Sequence, residues 1–139
     1  MPVFIVKADA TTLAENPSWL VDLHKIYAEM LDEEAPAFIE KTLEYSKTQP
    51  NCWFAGALFN DHLLGAALVV ESGNIWQLSY LSVRKTTRRR GVGTRLLSVL
   101  TAQAAERDAS ISLMYLENTD AQAQAAVEAL VAKLNPSGE

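Results

Sequence analysis

The sequence predicts an α+β fold: a mixed, mostly antiparallel sheet flanked by helices, in one domain over residues 1–139. Three observations carry this. Cys52–Phe59, Leu63–Val70 and Ile75–Val83 are apolar runs rich in β-branched and aromatic residues. The turns between them, at Asn60-Asp61 and Ser72-Gly73-Asn74, are too short for parallel crossovers, so the three runs form an antiparallel meander. A helical stretch over 94–108 then separates Ile75–Val83 from Ile111–Leu116, which fits a strand–helix–strand crossover.

The elements follow in order. Val3–Val6 is a short apolar run that reads as a first strand. Asn16-Pro17 reads as an N-cap with proline at the first helical position. Behind it Trp19, Leu20, Leu23, Ile26, Tyr27, Met30 and Leu31 recur at helical spacing, with the acids mostly off that stripe. Residues 36–47 form a second helix with Phe38, Ile39, Thr42 and Leu43 on one side, broken by Gln49-Pro50-Asn51. After the meander, Gly91 and Gly93 open a helix whose inner face is Leu96, Leu97, Leu100 and Ala104. Ala121–Leu134 is a last helix, ended by Asn135-Pro136-Ser137-Gly138.

Composition narrows the function. A chain of 139 residues, 49% hydrophobic and 21% charged, builds a core and is not a disordered segment. One cysteine, Cys52, excludes an internal disulfide and points to a reducing compartment. The longest apolar run, Leu63–Val70, is too short for a bilayer, and no basic segment followed by an apolar run opens the chain. The expected location is cytoplasmic. A net charge of −5 argues against bulk affinity for nucleic acid or anionic lipid, and neither is expected as a partner.

That charge is unevenly placed. Residues 84–95 hold Arg84, Lys85, Arg88, Arg89, Arg90 and Arg95 and no acid, which leaves six basic and 17 acidic residues elsewhere, a net of −11. Residues 15–44 alone hold eight acids and two lysines. That stretch reads either as a solvated surface or as an attractor for a cationic acceptor. One positive loop on an acidic body suits a small, highly charged anion better than a long polyanion. The loop follows a strand, Leu81-Ser82-Val83, and its Gly91-Val92-Gly93 lies where a helix begins. Two glycines at this spacing let the backbone turn tightly with its N–H groups exposed, at the positive end of the helix dipole. A pyrophosphate is the natural occupant, with arginines to neutralise a further phosphate. The Lys-Ser/Thr pair of a P-loop and the third glycine of a dinucleotide fingerprint are both missing.

Arg88-Arg89-Arg90-Gly91-Val92-Gly93 resembles the Gln/Arg-x-x-Gly-x-Gly/Ala acetyl-CoA signature of the GNAT acyltransferase superfamily. Leu81-Ser82-Val83 is similar to its fourth strand, and the element order is similar too. The resemblance implies that the amides from Arg89 to Thr94 hold the CoA pyrophosphate and that the backbone of Leu81 and Val83 pairs with the pantetheine arm. It also makes Asn118 a further CoA contact. A closer resemblance is to the PanZ (PanM) family, acetyl-CoA-dependent maturation and regulatory factors of aspartate decarboxylase. It rests on Asp22-Leu23-His24-Lys25-Ile26-Tyr27, on Phe59-Asn60-Asp61-His62-Leu63-Leu64-Gly65-Ala66, and on Leu81 through Gly93. It implies acetyl-CoA as ligand, aspartate decarboxylase as partner, and Asn60 as a partner contact.

The chain departs from the superfamily pattern in two places. Many members place a carboxylate base on the fourth strand and a tyrosine acid on the last helix. The nearest positions here are Gln77 and Val131, and neither transfers a proton. Members also usually end with two more strands, introduced by a Gly-Phe pair, where this helix runs into Asn135-Pro136. Ile111–Leu116 would then have an open edge, which predicts a homodimer or a covering segment there. Glu71, Ser79, Tyr80 and Tyr115 are the candidates to assist an acceptor amine near the end of the fourth strand, set against a plain reading as ordinary strand residues. His24, His62 and Cys52 are too isolated for a metal site, and Trp53 and Trp76 read as core. The expectation is an acetyl-CoA-binding regulator, with an active N-acetyltransferase as the alternative.

Overall fold

The computed structural model describes residues 3–87 and 91–113. Arg88, Arg89, Arg90, Tyr115, Leu116, Asn118, the expected last helix at 121–134 and the chain end lie outside the described residues. Five strands, β1 (Phe4–Ala8), β2 (Cys52–Phe59), β3 (His62–Ser72), β4 (Ile75–Val83) and β5 (Ser110–Leu113), form one sheet in sequence order. The first four are antiparallel to their neighbours, and β5 runs parallel to β4. The helices are α1 (Ala10–Glu15), α2 (Pro17–Leu31), α3 (Ala35–Thr48) and α4 (Val92–Glu106).

The meander forms where the turn chemistry asks for it. Asn60 and Asp61 both take positive φ, 49° and 64°, the backbone a two-residue hairpin turn needs if it is to match strand twist. Helix α4 is the link that brings β5 beside β4, a connection that parallel strands require. Its Leu96, Leu97, Leu100 and Ala104 pack on one sheet face against Trp53, Ala55, Ala67, Val69, Trp76 and Leu78. The other face, through Phe54 and Ala66, meets Leu23, Ile26, Tyr27 and Ile39 of α2 and α3. Each fully buried leucine or isoleucine contributes roughly 1.5–3 kcal/mol. Trp53 and Trp76 are core residues, in edge contact with ring centroids 5.8 Å apart.

Three local expectations are corrected. The first strand runs to Ala8 rather than Val6, paired with β2 along its length. Helix α1 has no counterpart in the sequence reading: only Leu13 of its six residues is buried, so no apolar period betrays it, and Asp9 caps it by accepting from the Thr12 amide at 2.8 Å. Asn16 sits at the N-cap position of α2, but its side chain makes no cap bond there. It donates backward, through Nδ2, to the Thr12 carbonyl and so closes α1.

Candidate functional site

The site is built around the second half of β4. β5 accompanies β4 from Ile75 to Leu78 only, among the described residues. Just beyond, β4 bulges: Leu68 pairs with Ser79 and Ala66 with Ser82, so Tyr80 and Leu81 together face Ala67. Tyr80 takes φ +53°, a left-handed conformation that costs an L-residue about 1–2 kcal/mol. Three contacts hold it. The Tyr27 hydroxyl donates to the Tyr80 carbonyl at 2.8 Å, the Phe38 ring stacks on the Tyr80 ring at 4.1 Å, and Phe38 in turn packs edge-on to Tyr27. Tyr27 is fully buried, and burial followed by the neighbouring Tyr80 pushes its phenol well above its ordinary range, so it stays a neutral donor.

From the bulge the strand runs along α2 to the loop. Ser82 Oγ donates to the Ile26 carbonyl at 3.3 Å. Arg84 Nε donates to Glu29 Oε2 at 2.6 Å, and the Lys85 amide donates to Glu29 Oε1 at 2.8 Å. Burial pushes the Glu29 carboxyl up, but the Lys85 amide and the Arg84 guanidinium outweigh it and hold the group below its usual range. The acid missing from the basic window is thus supplied from α2, and it occupies Arg84. Arg95 is also committed, Nε donating to the Val3 carbonyl at 3.2 Å.

The two motif glycines do different things. Gly91 has φ +80° and caps α4, and a Cβ there would meet nothing within 4 Å. Only its backbone conformation demands glycine. Gly93 lies inside the first turn of α4, so the helix begins earlier than the expected residue 94, and a Cβ there would stand at 3.7 Å from Val83 Cγ2. Among the described residues no side chain caps the helix, and the first intrahelical bond from this end is Arg95 N–H to the Gly91 carbonyl. The amides of Val92, Gly93 and Thr94 are therefore the ones a helix leaves unpaired at its N-terminus. A third glycine, overlooked in the motif, brings the parts together. A Cβ on Gly65 would lie 3.1 Å from the Ser82 carbonyl oxygen, 3.2 Å from Val83 and 3.3 Å from Val92, so its absence lets β3, β4 and the start of α4 close up. A glycine inside an apolar strand was the available signal.

Of the catalytic candidates, Ser79 borders the bulge and Tyr80 lies in it. Glu71 does not join them. It faces Trp76 at the start of β4, about 13 Å along the strand from Tyr80, and its carboxylate accepts from Trp53 Nε1 at 2.7 Å and Arg107 Nη1 at 3.2 Å. The Asn60 turn, by contrast, shares the loop's end of the sheet. The Arg84 amide donates to the Leu64 carbonyl at 2.8 Å, and Gly65 pairs with Val83. Buried Asp22 on α2 fixes that turn by accepting from the Leu63 amide at 3.0 Å, with His62 Nδ1 at 3.2 Å. Cys52 is buried, which pushes its thiol up and disfavours a reactive thiolate. No group of three or more potential metal ligands gathers among the described residues, and none of their helices is long and apolar enough to cross a membrane.

The comparisons with known proteins agree with this arrangement. A family model described as an acetyltransferase (GNAT) domain, PanZ, matches residues 10–137. A GNAT-family structure from Desulfovibrio desulfuricans superposes with a TM-score of 0.70 at 14% identity, covering 92% of this chain and 83% of that one. The PaiA N-acetyltransferase of Thermoplasma acidophilum, solved with coenzyme A, gives 0.67 at 17% identity over 93% and 88%. An aminoglycoside acetyltransferase from an uncultured soil metagenomic sample, solved with sisomicin, gives 0.64 at 15% identity over 99% and 90%. These likenesses establish the fold, that of the GNAT acetyltransferases. A search of curated sequences finds no match.

Proposed function

The chain belongs to the PanZ family of GNAT acetyltransferase domains, and from that premise we propose that it binds acetyl-CoA and, so loaded, docks on aspartate decarboxylase as a regulator. The observation that carries the reading is the β4 bulge followed by an uncapped helix N-terminus one loop later. Beyond the bulge β4 continues through Leu81, Ser82 and Val83, an extended stretch that suits a pantetheine arm lying along it as an added strand. The amides of Gly91, Val92, Gly93 and Thr94 and the arginines Arg88, Arg89 and Arg90 suit the pyrophosphate and a further phosphate. Among the described residues, none would lie within 4 Å of a Cβ on Gly91. When bound, acetyl-CoA would supply a thioester at the bulge end of this track. Asn118 would add a further contact.

The regulator reading rests on how few proton-transfer groups the described residues bring to the bulge. Glu71 is tied to Trp53 and Arg107, and Gln77 holds the β4 position where many relatives carry a base. Asn60 stands on a turn fixed to the same sheet end as the loop, a suitable place for a partner contact that senses ligand. The test is co-precipitation with aspartate decarboxylase with and without acetyl-CoA. Association that needs acetyl-CoA and is lost in Asn60→Ala supports the reading, and association indifferent to acetyl-CoA overturns it.

A second reading, an N-acetyltransferase, is favoured by Ser79 and Tyr80 at the bulge, within reach of an acyl group there. In that case positioning and backbone polarisation would do most of the catalysis, with Ser79, Tyr80 or Tyr115 relaying a proton. CoA release over a panel of amines decides it: release no faster than without amine removes this reading.

A further inference from the structure

Tyr80 is a large L-residue held at positive φ in mid-strand, with no glycine in the bulge to carry the conformation. Such a backbone persists only where its surroundings over-determine it. Here the surroundings are two aromatic side chains from the helical layer, Tyr27 of α2 and Phe38 of α3. Tyr27 has no access to solvent and one polar atom, and that atom is spent on the Tyr80 carbonyl. The contact joins residues 53 apart in sequence, so it fixes the helical layer to the one point where β4 leaves regular pairing.

We propose that Tyr27 is a positioning residue for the acyl end of the ligand: its hydroxyl, together with the Phe38 ring, holds the Tyr80 bulge open, and the open bulge makes room for the thioester beside β4. The proposal rests on the acetyl-CoA reading above. It assigns Tyr27 no contact with the ligand. The side chain acts through the backbone of Tyr80, and the phosphate cradle, eight or more residues further along the chain at Arg88–Thr94, lies beyond its influence. Removing the hydroxyl should therefore weaken ligands that reach the bulge and spare those that reach only the cradle.

The experiment is calorimetry with three probes, acetyl-CoA, CoA and 3′-phospho-ADP (the nucleotide half alone), on the wild type, Tyr27→Phe, Tyr80→Gly and the double variant. Tyr27→Phe keeps the ring and the packing, and its melting curve is recorded alongside. The expected result is an acetyl-CoA affinity about fivefold weaker, the size of one lost neutral hydrogen bond, with 3′-phospho-ADP unchanged. In the Tyr80→Gly background, where glycine adopts positive φ at no steric cost, the Tyr27→Phe penalty should shrink to less than twofold. A structural role alone would weaken all three probes together and persist in the glycine background, and that pattern overturns the proposal. So does an unchanged acetyl-CoA affinity in Tyr27→Phe. Should Tyr27→Phe fail to fold, Phe38→Leu removes the ring stack instead and carries the same expectation. A wild type that binds 3′-phospho-ADP and acetyl-CoA equally, or neither, refutes the acetyl-CoA reading itself.

Discussion

The pair Gly91 and Gly93 gives opposite answers to the same substitution. At Gly91 the added methyl meets open space, but the backbone sits at φ +80°, where alanine pays about 1–2 kcal/mol that glycine does not. At Gly93 the φ is helical and the new Cβ makes an ordinary 3.7 Å contact with Val83. There alanine removes the entropic handicap of a helical glycine, a gain of about 0.5 kcal/mol so near the end of a helix. For a domain of this size 1 kcal/mol moves the midpoint by about 4 °C, so Gly91→Ala should melt about 4–8 °C lower and Gly93→Ala about 2 °C higher. Circular dichroism melts without ligand read both. On the proposed acetyl-CoA reading, calorimetry should then show Gly93→Ala weaker by at least tenfold despite its greater stability, because an added methyl would crowd a pyrophosphate held by the amides of this first helical turn. Equal loss of melting temperature in both variants would refute the backbone assignment. Wild-type acetyl-CoA affinity in Gly93→Ala would refute the close approach of ligand to this turn.

Three further outcomes are expected. Glu29 has its folded carboxyl held below the usual range, so its contribution is fully present above the unfolded carboxyl range near pH 4.5 and is lost as pH falls through the lower folded value; Glu29→Gln should cost about 1.5 kcal/mol at pH 7 and much less at pH 3, read by urea unfolding at both pH values. Glu71→Gln should lower stability by about 1 kcal/mol through Trp53 and Arg107 and leave acetyl-CoA affinity unaltered, a result that calorimetry and a melt together can contradict. Arg88→Glu should weaken acetyl-CoA by tenfold or more with a salt dependence shallower than the wild type's, checked by titrations at two ionic strengths.

The sheet was legible because alternation and turn chemistry agree. Asn60-Asp61 and Gly73 mark the two reversals, and the leucines of α4 recur at helical spacing opposite the tryptophans of β2 and β4. The loop was legible because its charge and glycines stand in one short window. What escaped depends on long-range contacts that leave no local trace. Nothing in Ser79-Tyr80-Leu81 distinguishes a bulge from regular alternation, since the strain is carried by Tyr27 and Phe38, some 40 to 50 residues upstream. Tyr27 itself reads as one more apolar position in a helical stripe. Glu71 read as a candidate acid because a strand carboxylate near a cleft has that meaning until its partners are known.

The acids of α2 were the most ambiguous residues, and the structure divides them. Asp22 and Glu29 are seven residues apart, two helical turns or about 10.5 Å along the axis, and so lie on nearly the same side of α2. Asp22 fixes the turn that carries Asn60, and Glu29 fixes the first two residues of the basic loop. Between them Ile26 and Tyr27 hold Ser82 and Tyr80. One helix therefore sets the hairpin turn, the bulge and the root of the loop relative to one another. An acidic stretch read only as a solvated surface would allow these residues to be neutralised at will. The geometry says instead that Glu29, one of the negative charges the sequence sets apart from the basic loop, holds that loop's root, while Asp22 holds the Asn60 turn at the same end of the sheet.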